Sequence, residues 1–281
     1  MKPVIADTSD TKVNWALYSF PPYLTPANPP SKHDPIGNGP AAVFLKYTKE
    51  HMPEFQHEYE LATLSRVIGL MKNGVLACNP LLLKIPEREP FVEYSRPIMV
   101  LLPHHIIVTE ANFHKLKPYL DSEGKVELSK LVTNTDLSTS ITKRRAYPTV
   151  VSDALDSVHG NQPSILYSAD LYTPIKQLIA KRIDYVVAYP FEMYWYISEV
   201  EKKKDLTLKY IPISGMPEYV LSYVGCTKGE QGKKIIQETN KVIADAGSRP
   251  PWVEYQLSYL DEAARSKLEH LLDQYQFLRS P

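Results

Sequence analysis

Arg88 stands in KIPERE, directly after the apolar run VLACNPLLL and before FVEYSRPIMVLLPHHIIV. A guanidinium at the end of a strand is either a wet turn residue, a structural salt-bridge partner or an anion clamp. Its planar fork matches a carboxylate or phosphate. Arg145 and Tyr147 lie in KRRAYP, where a strand gives way to a helix, and a helix N-terminus favours anions. Tyr189 and Glu192 lie in AYPFE, at the end of another apolar run. Phe20 and Tyr23 flank Pro21-Pro22, where aromatic rings would either line a ligand wall or pack as core.

Other chemistries find little support. The chain has 281 residues, and its 32 basic and 32 acidic residues cancel. A nucleic-acid binder working by general electrostatics would be basic. GxSxG, HExxH and P-loop motifs are absent, and GNG at Gly37 to Gly39 is too short for a dinucleotide fingerprint. His104 and His105, adjacent among eight histidines, would face opposite ways in a strand and lack a third nearby ligand, so no metal and no cofactor are expected. Cys78 and Cys226 form no CxxC; they read as buried free thiols or, in an exported protein, one bridge. The apolar run from Ile98 to Val108 is broken by Pro103, His104 and His105 and falls short of a bilayer span.

The elements that must position these residues alternate. VNWALYSFPPYL reads as a strand stopped at Pro21 and Pro22, and SKHDPIGNGP as a turn-rich loop. AAVFLKYTKEHM has helical spacing and EFQHEYELA alternates like a strand. LSRVIGLMKNG reads as a helix stopped at Gly74, and VLACNPLLL as the next strand. That order predicts a parallel sheet with helices on its faces. Further on, LSTSITKRRAYP predicts a strand and then a helix from near Thr149. SILYSADLYTPIKQLIAKR carries another helix, and IDYVVAYP is a buried strand. EMYWYISEVEKKK is a helix with a wet end at Lys202–Lys204, and LTLKYIPI a strand. YVLSYVGCTK, a last strand, precedes two or three amphipathic helices.

The succession FPPY, LSRVIGLMKNG, KIPERE, FVEYSRPIMV, RIDYVVAYPFE and YVGCTKGEQGKKIIQETN resembles the type II periplasmic solute-binding proteins. Within them it resembles the family 3 branch that includes amino-acid receptors of ABC transporters, in a poorly characterised subgroup. The resemblance runs from about Val13 to the C-terminus. It implies an α/β fold of two lobes, each a mostly parallel sheet flanked by helices, joined by two hinge strands. Lobe 1 would take residues 1–104 and 217–281, and lobe 2 residues 105–216.

The resemblance also implies a role for Arg88, which in that family holds the ligand carboxylate. The hydroxyl residues usual after the third strand are replaced here by Pro80, Leu81 and Leu83. The acid that usually holds an α-amino group falls near Tyr189, with Glu192 the nearest carboxylate. The implied site is therefore Arg88, Phe20, Tyr23 and Leu83 facing Arg145, Tyr147, Tyr189 and Glu192. It would take an amino acid or small organic acid, captured by hinge closure. The resemblance places Cys78 beside Cys226 and so implies a disulfide. It implies an exported, periplasmic monomer, its signal peptide absent from this sequence, with an ABC-transporter permease as partner and no nucleic acid. Two alternatives stay open. One is the sensing ectodomain of a membrane signalling protein, and the other a dehydratase-like enzyme with Glu192 as acid or base.

Overall fold

The computed structural model describes residues 11–26, 36–143, 145, 147–158, 162–170, 172–201, 206–260 and 262–275. The first ten residues, the first half of the loop SKHDPIGNGP, and Lys202–Lys204 lie outside these. The chain divides into two compact units. Unit 1 is Met1–Leu101 with Tyr219–Pro281, and unit 2 is Leu102–Glu218.

Unit 1 opens with β1 (Lys12–Leu17), α1 (Pro40–His51), β2 (Gln56–Leu61), α2 (Leu64–Lys72), β3 (Cys78–Leu82) and β4 (Val92–Leu101). Each helix is placed by local chemistry. Pro40 opens α1 at a position where its missing N–H costs nothing. Thr63 caps α2 by accepting from the Arg66 N–H at 3.2 Å. Gly74, at φ 74°, turns the chain after α2.

Unit 2 follows with β5 (His105–Thr109), the short helices α3 (Phe113–Leu116) and α4 (Leu128–Val132), and β6 (Thr139–Thr142). Then come α5 (Thr149–Asp156), β7 (Ile165–Ser168), α6 (Thr173–Ile179), β8 (Tyr185–Ala188), α7 (Pro190–Trp195) and β9 (Leu208–Pro212). The chain returns to unit 1 as β10 (Val220–Thr227), α8 (Glu230–Asp245), α9 (Pro251–Leu257) and α10 (Glu262–Tyr275). None of the described helices is long and apolar enough to cross a membrane.

The two sheets repeat one plan. Unit 1 is ordered β2-β1-β3-β10-β4 and unit 2 β7-β6-β8-β5-β9. In each, three strands run parallel, the fourth runs antiparallel to the third, and the fifth is antiparallel to the fourth. The fourth strand, β10 or β5, is supplied where the chain arrives from the other unit. The α/β fold of two mostly parallel, helix-flanked sheets is thus the one the resemblance implied.

Strand periodicity sets the packing. In unit 2, Ile106 and Val108 belong to one core cluster with Val151, Tyr185 and Val187. Ile107 between them belongs to another, with Leu178, Val186 and Ala188. Alternate residues thus feed opposite faces, each covered by helices. In unit 1, Trp252 of α9 meets Phe44 of α1 edge-to-face at 5.1 Å, and its indole N–H donates to the Ile98 carbonyl at 2.8 Å. Burying rings of this size stabilises by about 2–3 kcal/mol each. Gly225 lets β10 lie flat, because a Cβ there would stand 2.7 Å from Leu82 and 2.8 Å from Val92.

Cys78 and Cys226 are register partners on β3 and β10 and are joined by a disulfide. The bridge ties the two separate chain segments of unit 1 and spans 148 positions of sequence.

Candidate functional site

In open α/β sheets, ligands bind outside the carboxyl ends of the parallel strands. Each unit has such an edge. In unit 1 the edge follows β1 and β3. After β1, Phe20 and Leu24 exchange backbone hydrogen bonds at 2.8 and 3.0 Å around the cis Pro21-Pro22 bond. Gly39, at φ 117°, packs directly on this loop, and a Cβ there would lie 2.3 Å from the Pro22 carbonyl oxygen. Phe20 is half-buried and lies 6.0 Å from the Tyr18 ring. Tyr23 instead turns into the core, 2 % exposed, and its hydroxyl accepts from Gln256 Nε2 of α9. Tyr23, expected in a ligand wall, is therefore a buried residue tied to α9, with its ring 6.1 Å from that of Phe20.

After β3, a tight turn carries Arg88. The Arg88 N–H donates to Ile85 O at 3.0 Å, and the Val92 N–H donates to Arg88 O at 2.9 Å, which starts β4. The half-buried side chain reaches back so that Nη1 donates to the Leu83 carbonyl at 3.4 Å, and the Tyr94 hydroxyl donates to the same oxygen at 3.3 Å. Burial raises the Tyr94 pKa, opposed by the nearby Arg88 charge. Among the described residues Arg88 has no carboxylate partner. Leu83 thus contributes a carbonyl that orients the arginine, and its side chain is partly exposed.

In unit 2 the carboxyl edge is formed by the ends of β6, β7 and β8. The start of β5 lies at the same edge, because His105 pairs with Ala188 in antiparallel register. Arg145, after β6, meets Glu192, three residues beyond Tyr189. One guanidinium nitrogen, Nη2, donates to both carboxylate oxygens, at 2.8 and 3.0 Å. The Glu192 Oε2 also accepts the Tyr189 N–H at 3.1 Å, closing the first turn of α7. The two side chains are 10 % and 2 % exposed.

The guanidinium lies over the Tyr147 ring at 5.5 Å and the Tyr189 ring at 5.2 Å. Burial works against the Arg145 charge, but Glu192 and the two tyrosines outweigh it, and the pKa is raised. Arg145, expected as a second anion contact, thus has Glu192 as its anion in this structure. This arginine is spent on an acid of its own unit, because β6 and β8 are neighbours and their ends converge.

His104, just before β5, completes the cluster. Its ring lies 3.8 Å from that of Tyr189 and 5.4 Å from that of Tyr147. It is fully buried, and neither ring nitrogen has a hydrogen-bond partner among the described residues. Burial, then Arg145 and His105, hold its pKa well below the usual value, so the ring is neutral. After β7, Asp170 caps the start of α6: Oδ1 accepts from Tyr172 N at 2.9 Å and Thr173 N at 2.8 Å.

No family model matches the chain, and no curated protein matches it. Solved structures do. A probable amino-acid ABC transporter extracellular-binding protein from Bacillus subtilis is 14 % identical. It aligns over 90 % of this chain and 98 % of its own, with a TM-score of 0.59. An amino-acid ABC transporter substrate-binding protein from Streptococcus pneumoniae, bound to L-arginine, is 16 % identical over 92 % of this chain and 95 % of its own, with a TM-score of 0.62. Another binding protein from the same organism, bound to histidine, is 12 % identical over 90 % and 93 %, with a TM-score of 0.61. The chain has the fold of the extracellular solute-binding proteins of amino-acid ABC transporters.

On this solute-binding fold, Arg145, Tyr147, Tyr189 and Glu192 come together at one edge of unit 2, and Arg88 and Leu83 at one edge of unit 1. Phe20 lies at the unit 1 edge as well, half-buried, and Tyr23 beside it is buried. Sequence reasoning gave no role to Tyr94, Tyr18 or Asp170. It weighed His104 as a metal ligand only. Tyr94 lay in a quoted motif, FVEYSRP, but only the fold shows that its hydroxyl reaches the turn that carries Arg88.

Proposed function

We propose that the protein is an exported receptor that captures a small carboxylate-bearing ligand for an ABC transporter. The observation that carries this reading is Arg88: a half-buried guanidinium at the end of β3, oriented by the Leu83 carbonyl and lacking an acidic partner among the described residues. A bound carboxylate would form a charge-assisted hydrogen bond there. The disulfide supports an oxidising compartment. Glu192, the residue a dehydratase-like reaction would need as acid or base, is buried against Arg145 and the Tyr189 N–H, which favours binding without turnover.

A thermal-shift screen of amino acids, aromatic acids and small dicarboxylates tests the reading, since a ligand of the native state raises the melting temperature. Saturable stabilisation without chemical change of the ligand supports it. Conversion of a ligand, or silence across the whole screen, overturns it.

A further inference from the structure

Trp15 of β1 is fully buried, and its indole N–H donates to Nδ1 of His57, on the edge strand β2, at 3.0 Å. An indole nitrogen only donates, so Nδ1 must accept and the ring proton sits on Nε2. Nε2 then donates to the carbonyl of Met52, the residue that ends α1, at 3.3 Å. The same carbonyl accepts the Phe55 N–H at 3.1 Å. The neutral imidazole is thus held in one tautomer, between a donor and an acceptor. A second proton can go only to Nδ1. It leaves the Met52 bond in place and sets N–H against N–H at Trp15, so the conflict falls on that one contact.

Burial opposes a charge on His57 most; the Met52 bond and Glu54 of the turn after α1 favour it, and Lys49 of α1 opposes it. Tyr59, on the same face of β2, is neutral, its pKa pushed up to about 12 by burial. Glu58 and Glu60 alternate onto the other face, paired with Lys12 and Arg66. Lys234 of α8 lies over the Phe55 ring at 5.8 Å.

We infer that the Trp15–His57 contact is a proton-operated latch between β1 and β2, made while the imidazole is neutral and opened in mild acid. On its other side, β1 meets β3 where Trp15 pairs with Cys78, and the disulfide ties β3 to β10. β2 has a strand on one side only. The freedom gained on opening therefore falls on β2 and the turn from α1, and the centre of the sheet stays fixed.

The test follows the indole N–H signals of the full chain by proton–nitrogen NMR between about pH 7.5 and 5, which brackets the ordinary histidine value, with the His57 ring titration read alongside. The Trp15 signal, assigned by its contact with the His57 ring, should move as His57 protonates. The Trp252 signal, whose N–H donates to the Ile98 carbonyl, should not. His57→Asn keeps an acceptor and does not titrate, so its Trp15 signal should stay still. Trp15→Phe removes the opposing donor and should raise the His57 midpoint. Amides of β2, corrected for intrinsic pH dependence, should exchange about tenfold faster at the lower pH in the parent and not in His57→Asn. A Trp15 signal that stays fixed while His57 titrates, or that moves equally in His57→Asn, overturns the inference. So does a His57 that stays neutral until the chain unfolds. The parent and His57→Asn decide the matter even where Trp15→Phe does not fold.

Discussion

One nitrogen of Arg145 straddles both oxygens of Glu192, at 2.8 and 3.0 Å, beneath the rings of Tyr147 and Tyr189. Removing one partner of a buried pair leaves a bare charge, which costs about 3–5 kcal/mol, whereas replacing both by apolar residues of similar size is often neutral. Arg145→Met should therefore destabilise the protein by about that amount, and Arg145→Met with Glu192→Leu should recover most of the loss. Urea denaturation of the two variants beside the parent checks this. A single variant as stable as the parent would mean the pair is wetter than its burial indicates.

Arg88 makes the opposite case, because among the described residues its side chain hydrogen-bonds the Leu83 carbonyl alone. Arg88→Ala should leave the fold intact and weaken carboxylate binding by about 1.5–3 kcal/mol, the range for hydrogen bonds to charged groups. Arg88→Lys should restore only part of this, since an ammonium lacks the fork. Calorimetry beside circular dichroism reads both effects. Unchanged affinity in Arg88→Ala would return the residue to an ordinary charged turn.

The Cys78–Cys226 bridge closes a loop of 148 positions. In the chain-entropy description a loop of that length stabilises the native state by about 5 kcal/mol. The Cys78→Ala, Cys226→Ala double variant should lose stability approaching that amount, with the largest effect on unit 1. Denaturant midpoints with and without reductant provide the comparison, and equal midpoints would count against it.

Two histidines make the fold sensitive to mild acid. The His104 pKa is held well below 6.5, mainly by burial and next by Arg145 and His105. The His57 pKa is also lowered, chiefly by burial, and its Nδ1 faces the Trp15 indole N–H at 3.0 Å. In both cases the unfolded chain binds a proton that the native state refuses. Stability is therefore full above the unfolded value of about 6.5 and declines as pH falls below it. For His104 part of that loss is expected between about pH 7.5 and 5.5. His104→Leu should remove that share and, by deleting two unpartnered nitrogens, cost little at neutral pH. Urea titrations at the two pH values measure it. A variant with the full parental pH slope would exclude His104 as the source.

Much of the architecture was legible because punctuation and period agree. The Pro21-Pro22 stop, the helical spacing of AAVFLKYTKEHM and the glycine after LSRVIGLMK correspond to the ends of β1, α1 and α2. IDYVVAYP gave β8 because a strand buried on both faces is apolar throughout. SILYSADLYTPIKQLIAKR shows its helix, α6, but not the strand β7 ahead of it. That strand has four residues and lies at the sheet edge with Leu166 and Tyr167 exposed, so it carries neither alternation nor a full apolar run. The end of EMYWYISEVEKKK departs from a plain helix, since α7 stops at Trp195 and a π-helical run follows. At the site, residue types were readable and pairings were not. Arg145 and Glu192 are 47 positions apart, and only the adjacency of β6 and β8 brings them together. Tyr23 looked like a wall residue because its core partner, Gln256, lies 233 positions away.

The strand order of unit 1 also constrains how the molecule can be made. Its penultimate strand, β10, sits between β3 and β4 but leaves the ribosome only after all of unit 2. Until then the first hundred residues have β3 and β4 with a strand-wide gap between them and no partner for Cys78. Unit 2 is contiguous and can complete its own sheet as soon as Pro212 of β9 is made. The second unit in sequence is thus the first that can finish folding, and the first must be kept from pairing its open strand edges wrongly until the last stretch of chain arrives.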